Sequence, residues 1–185
     1  DENGKIWANQ TIYPDGNKRF TAGGKKEGNF HVVGGLEHLN SSDVIIIAEG
    51  YATAATLKEA SNRPVVAAFD SGNLKTVAEK LHQKYPDKPI IIAGDDDVHR
   101  TLEKKPNVGR TKAINAADSV NGIAVFPIFP KEKIGEKSCT DFNDLARESE
   151  HKLEAVKHII LSSIDSYKNQ QNDKITQSKT SKIKR

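Results

Sequence analysis

Four short apolar runs, at residues 44–48 (VIIIA), 65–69 (VVAAF), 90–93 (IIIA) and 123–126 (IAVF), do most to decide what this chain can fold into. They are rich in β-branched residues and too short for core helices, so they read as strands. Because they do not alternate with polar residues, both of their faces must be covered. Between them lie YATAATLKEAS, SGNLKTVAEKLHQKY and GRTKAINAADSVN, whose apolar positions, such as Leu74, Val77, Ala78 and Leu81, fall near helical spacing. Strand, helix and strand repeated at this length imply right-handed crossovers and a mostly parallel four-stranded sheet with flanking helices.

The flanks differ in character. Residues 1–38 read as a small antiparallel β unit. KIWANQTIYPDGNKRFTAGG holds two strand-like stretches around the turn Pro14-Asp15-Gly16-Asn17, and NFHVVGG follows a further Gly-rich turn. The α/β core is expected over 39–150, and a C-terminal helix, ending near Tyr167, with a disordered basic tail over 151–185. From 168 on the tail contains six Lys/Arg and one Asp, a charge of +5 out of a net +3, which leaves −2 for the rest. With almost nothing to bury, it is expected to be a solvated tether that adds non-specific attraction to nucleic acid.

Several classes of protein are excluded. No apolar run approaches the length of a membrane span, and the first residues, DENGKIWANQ, carry neither a signal-peptide pattern nor an initiator Met. We therefore expect a piece of a longer polypeptide with no membrane partner. The single cysteine, Cys139, can form neither an internal disulfide nor a Cys-rich zinc site, which fits a cytoplasmic location. The six His residues show no metal-ligand spacing.

Acidic residues gather where strands should end. Glu49 follows the first run, and Gly50 lets the backbone turn into an Ala- and Thr-rich helix. It reads either as a general base held at a strand end or as an anion at a helix N-terminus, which gains up to about 1 kcal/mol. Asp95, Asp96 and Asp97 follow the third run, at the sheet edge where open α/β sheets bind ligands. Carboxylates about 5 Å apart repel by about 1 kcal/mol in water and more in a protein. A divalent cation would offset this. In an extended chain Asp95 and Asp97 share one side and Asp96 takes the other, and such a pair suits a hard cation with oxygen ligands. A solvated Asp-rich turn is the other reading. In SCTDFNDLARE, Thr140 or Asp141 reads as a helix N-cap and Asp144 as the capping-box acid. Arg110 and Lys112 open the third crossover helix, where cations and backbone N–H groups suit an anionic substrate. Lys18, Arg19, Lys25 and Lys26 follow the turns of the N-terminal unit.

Glu-Gly after the first core strand and Asp-x-Asp after a later one, in IIIAEGYATA and IIIAGDDD about 45 residues apart, resemble the two motifs of the Toprim domain. The flanking IYPDGNKRFTAGGKKEGNFHVVGG and CTDFNDLA resemble the Toprim segments of primases carried by conjugative plasmids and phages, including those fused to relaxases or helicases. The resemblance implies a Toprim-like, Rossmann-like fold and metal-dependent nucleotidyl transfer that makes RNA primers on single-stranded DNA. It implies Glu49 as the acid/base residue and Mg²⁺ or Mn²⁺ held by Glu49, Asp95 and Asp97, with support from Asp141 and Asp144. Lys18, Arg19, Arg110 and Lys112 would meet nucleotide or nucleic acid. Nucleoside triphosphates, a single-stranded DNA template and adjacent relaxase, helicase or template-binding domains would be the partners. A metal-dependent nuclease or topoisomerase relative, or a non-catalytic module that binds DNA or protein, remain alternatives. Housekeeping primases carry a further acid where this chain has Thr53 and a Gly where it has Arg100.

Overall fold

The computed structural model describes residues 1–183, with side chains through Asn169. A hairpin of β1 (Gln10–Ile12) and β2 (Lys18–Phe20) comes first, followed by β3 (His31–Val33) and the short helix α1 (Leu36–Ser41). The core then runs β4 (Ile45–Ala48), α2 (Tyr51–Ser61), β5 (Val65–Ala67), α3 (Leu74–Lys84) and β6 (Ile90–Ala93). After it come α4 (Val98–Leu102), α5 (Val108–Asp118), β7 (Ile123–Val125), α6 (Phe142–Glu148) and α7 (Lys152–Ile183). Among the described residues, no helix is long and apolar enough to cross a membrane.

The main sheet has the order β3-β5-β4-β6-β7. Its last four strands are parallel, as the β-branched runs imply, and β3 lies antiparallel on the edge of β5. The sheet therefore has five strands rather than four, because NFHVVGG leaves the N-terminal unit to cover an edge that β5 would otherwise expose. Only β1 and β2 form a separate sheet. After β3, Gly34 and Gly35 at φ 103° and 89° turn the chain into α1, in a region that other residues rarely adopt.

The period-two alternation of the strands fills two cores. Ile46, Ala48, Val65, Ala67, Ile91 and Ala93 face α2, α6 and α7, meeting Leu57, Phe142, Leu145, Val156, Ile160 and Ile164. Ile45, Ile47, Val66, Ile90 and Ile92 face α1, α3 and α5, meeting Leu39, Leu74, Val77, Leu81 and Ala113. The six isoleucines of β4 and β6 are fully buried, each contributing about 1.5–3 kcal/mol. This three-layer arrangement leaves only the strand ends open to chemistry.

The chain order makes one pair of ends special. From β4 the chain crosses to β5 on one side, then returns past β4 to β6 and goes on to β7 on the other. The crevice at a reversal of this kind is where open α/β sheets bind ligands. Residues 49 and 95 emerge there, from adjacent strands in the register Ala48↔Ala93.

Close packing sets the position of the second acidic segment. A Cβ on Gly94 would lie 2.5 Å from Ala113 Cβ and 2.7 Å from the Phe126 ring, and one on Gly109 would lie 3.0 Å from the Asp95 carbonyl oxygen. Gly94→Ala is expected to lower stability by about 1–3 kcal/mol through overpacking, read as a reduced midpoint in urea with an unchanged slope.

Helix α7 holds Val156, Ile160, Ile164 and Tyr167 against α2, α6 and β7, and the Tyr167 hydroxyl donates to the Asn121 carbonyl. Its backbone continues to Ile183, past Tyr167 where the sequence suggested an end. The continuation has a local cause, since no Gly or Pro occurs after Gly135. Side chains from 170 on, and residues 184–185 altogether, lie outside the described structure, and with them most of the basic tail.

Candidate active site

Asp95 stands immediately beyond β6 and Gly94. Its Oδ1 is buried and has no hydrogen-bond partner. Burial, and after it the negative charges of Glu49, Asp141, Asp97 and Asp144, push its carboxyl up to about 8. One rim thus collects five acids from three separate stretches of chain. A buried carboxylate oxygen left without a donor is destabilising unless it keeps a proton or meets a cation.

Glu49 follows β4 on the neighbouring strand. Its carboxyl is also raised, first by burial and then by the charge of Asp70, with Asp97 adding to this and a hydrogen bond from the Ser71 backbone N–H opposing it. Lys18, from β2, is the cation that acts on it. Asp70, at the end of the β5 segment, is a member of the site that the sequence reading passed over. It accepts from Lys26 and, at 2.7 Å, from the Gly72 N–H, and the Lys26 contact holds its carboxyl below the usual range. The signal was present, since Asp70 follows the run at 65–69 as Glu49 follows the run at 44–48. Phe69, just before it, is held at φ 71°, a left-handed conformation that costs a non-glycine residue about 1–2 kcal/mol.

Asp96 is turned away into a structural role. Its Oδ1 accepts from Asn107 Nδ2 and its Oδ2 from Arg110, both at 2.7 Å. Asn107 Oδ1 in turn accepts from the backbone N–H of Asp97 at 3.2 Å and of Arg110 at 3.1 Å. This one amide, unremarked in the sequence, ties the acidic loop to the start of α5. Arg110, expected to face an anionic substrate, is paired with Asp96, and its guanidinium lies 4.1 Å from the Phe126 ring centroid. Lys112 is exposed on α5. Arg19 lies over the Tyr13 ring at 5.9 Å, while the neighbouring Lys18 acts on Glu49.

The Asp141 and Asp144 pair forms the capping box expected of it. Asp141 Oδ1 accepts from the Asp144 N–H at 2.8 Å, and Asp144 Oδ2 accepts from the N–H groups of Thr140 at 3.0 Å and Asp141 at 3.4 Å. Arg147 pairs with the other oxygen of Asp144 at 3.0 Å. Thr53, on α2, donates to Asp141 Oδ2 at 2.8 Å. The box therefore docks on the helix that follows Glu49, and both acids lend negative charge to Asp95 while their oxygens serve the cap.

Among the described residues, no three His, Cys, Asp or Glu side chains close into a ready-made cage for an ion. The acids of this rim are all oxygen donors, and among them Asp95 Oδ1 is buried without a partner. Hard oxygen donors that leave room for water and phosphate fit Mg²⁺ or Mn²⁺, which rarely use closed protein cages.

Residues 44–151 match the family described as Toprim domain. Two curated proteins of Escherichia coli, both named DNA primase TraC, are similar over 129 residues, or 70% of this chain. One is 56% identical and the other 55%. The matched stretch is only 12% and 9% of their lengths, so the chain corresponds to a small part of each. No solved structure matches.

Proposed function

Because the chain belongs to the Toprim domain family, we propose that it is the nucleotidyl-transfer module of a plasmid-type DNA primase, joining ribonucleotides on a single-stranded DNA template. The unpartnered Oδ1 of Asp95, buried next to Glu49 at the crevice where the strand order reverses, carries this reading. The two similar proteins are named as primases, which supports primer synthesis over DNA cleavage.

In the reaction, the 3′-oxygen of one nucleotide forms a bond to the α-phosphorus of a triphosphate, the bond to pyrophosphate breaks, and the hydroxyl proton must leave. Glu49 is suited to take that proton. Burial and Asp70 make its carboxylate more basic than an exposed glutamate, nearer the neutral range where a general base works best. Asp95 and Asp97, with Glu49, would hold Mg²⁺ or Mn²⁺. Bound there, the metal would neutralise the phosphate charge and ease ionisation of the hydroxyl. Asn107 and Arg110 occupy both carboxylate oxygens of Asp96, which supports Asp95 and Asp97 rather than Asp96 as the metal ligands. Lys18, whose charge acts on Glu49, and the exposed Lys112 would meet phosphates, whereas Arg110, paired with Asp96, would position the loop. Template capture would rest with neighbouring relaxase, helicase or template-binding domains of a longer protein.

The test is dinucleotide formation by the 185-residue chain from ribonucleoside triphosphates, on a single-stranded template with Mg²⁺ or Mn²⁺. Product is expected, with loss in EDTA and in Asp95→Asn/Asp97→Asn. Nicking of labelled DNA in place of synthesis would make the module a nuclease. DNA binding in EDTA with neither reaction would make it a non-catalytic module.

A further inference from the structure

A cavity of about 730 Å³ lies beside this rim, between the N-terminal residues, the β1–β2 hairpin and the β3 edge of the main sheet. Its walls are aromatic and basic. Trp7, Phe20, Tyr51 and Phe69 line it together with Lys25 and Lys26. We propose that this cleft binds a nucleobase by stacking and holds the attached phosphate on the lysines, placing a nucleotide unit next to the acidic rim. The proposal rests on the nucleotidyl-transfer reading only for the choice of ligand.

Three observations carry it. First, four of the ten exposed large hydrophobic side chains among the described residues, Ile6, Trp7, Ile12 and Tyr51, line this one cavity. A small unit left with so much apolar surface in one concavity is built to cover something. Second, the rings are presented to cations. Lys5 and Lys25 lie 4.0 Å and 5.5 Å from the Trp7 ring centroid, and Lys26 lies 5.8 Å from that of Phe20. A flat base can replace an ammonium on such a face, and the displaced lysine is then within reach of the phosphate. Aromatic faces next to a basic track are the general means of holding single strands without reading their sequence. Third, the cleft is joined to the rim through the chain itself. Tyr51 is two residues past Glu49, and Phe69, in its left-handed conformation, directly precedes Asp70. Lys26 lines the cleft and also binds Asp70.

The same chemistry is offered by a strand of nucleic acid and by a free nucleotide, and Trp7 distinguishes them. It is the only tryptophan of the chain, so its fluorescence reports on the cleft alone. The 185-residue protein in EDTA is titrated with oligo(dT), with ATP and with inorganic tripolyphosphate. Saturable quenching by oligo(dT) or by ATP, but not by tripolyphosphate, is expected. Quenching by the oligonucleotide alone assigns the cleft to single strands, and quenching by ATP alone assigns it to the incoming nucleotide. Tyr51→Leu, at an exposed position, is expected to weaken the quenching ligand about 5- to 150-fold, and Lys25→Glu to weaken it as well, each with an unchanged melting curve. No quenching by either nucleotide ligand, equal quenching by tripolyphosphate, or full affinity in folded Tyr51→Leu would overturn the proposal. Asp95→Asn should leave the quenching intact. Loss of primer synthesis with quenching retained, or absence of quenching with synthesis retained, therefore separates the fate of this site from that of the catalytic reading.

Discussion

Asp95→Asn is expected to make the metal-free protein more stable at about pH 8 than the parent chain, and to remove most of the parent's fall in stability between about pH 4 and about pH 8. The folded protein raises the Asp95 carboxyl from an ordinary 3.8 to about 8. Over that interval it therefore binds a proton that the unfolded chain has released. Stability then decreases as pH rises, and the whole penalty is present once the folded group has ionised. Glu49 is raised as well and adds the same sign. Asp43 and Asp70 are lowered instead, by Lys168 and Lys26, so what they contribute is lost only at acid pH, below the window of Asp95. A shift of this size corresponds to at most about 6 kcal/mol, and relaxation around the ionised group should leave about 2–4 kcal/mol visible. Urea unfolding in EDTA at about pH 5 and about pH 8 measures it. Mn²⁺ should restore stability to the parent at the higher pH by binding only the folded form, and should do little for Asp95→Asn. Equal stability of the parent at both pH values would show that the Asp95 oxygen is not held in the folded state without a partner.

The strands of the core were legible because burial on both faces leaves a compositional mark that no other element of this length shares. β4 and β6 are each Ile-Ile-Ile-Ala, and the helices between them carry a separate period. β3 was harder to place. His31-Val32-Val33 looks the same whether it closes a small hairpin unit or pairs on the edge of β5, since three residues carry no information about their partner. The acids at the strand ends could be read for a related reason. A strand in the middle of a parallel sheet has only its ends free for polar chemistry, so Glu49 and Asp95 could be picked out from their position in the chain. Asp70 obeys the same rule, directly after the run at 65–69, but a lone Asp there has neither a directly following Gly nor a neighbouring acid to single it out. Asn107 and the engagement of Arg110 with Asp96 could not be read from spacing at all. They depend on α5 folding back over the acidic loop, a tertiary contact that Gly94 and Gly109 permit by lacking a Cβ.

Glu49→Gln is expected to lower primer synthesis about 10²- to 10⁴-fold, the usual span for removing a positioned general base, with little change in fold because the amide keeps the shape of the carboxyl and lifts a charge from a crowded rim. The pH profile says whether the residue moves a proton. In the parent chain the rate should rise with pH as Glu49 ionises, above the ordinary glutamate range because burial and Asp70 raise it. In Glu49→Gln that limb should be absent. A residue serving only as a ligand behaves differently: its loss is repaired by more Mn²⁺, and the residual rate keeps the parent's dependence on pH. Asp70→Asn distinguishes the two from another side. It removes the charge that raises Glu49 most, so the limb should move to lower pH while the maximal rate changes little. A limb that stays in place in Asp70→Asn and survives in Glu49→Gln would assign the titrating group elsewhere.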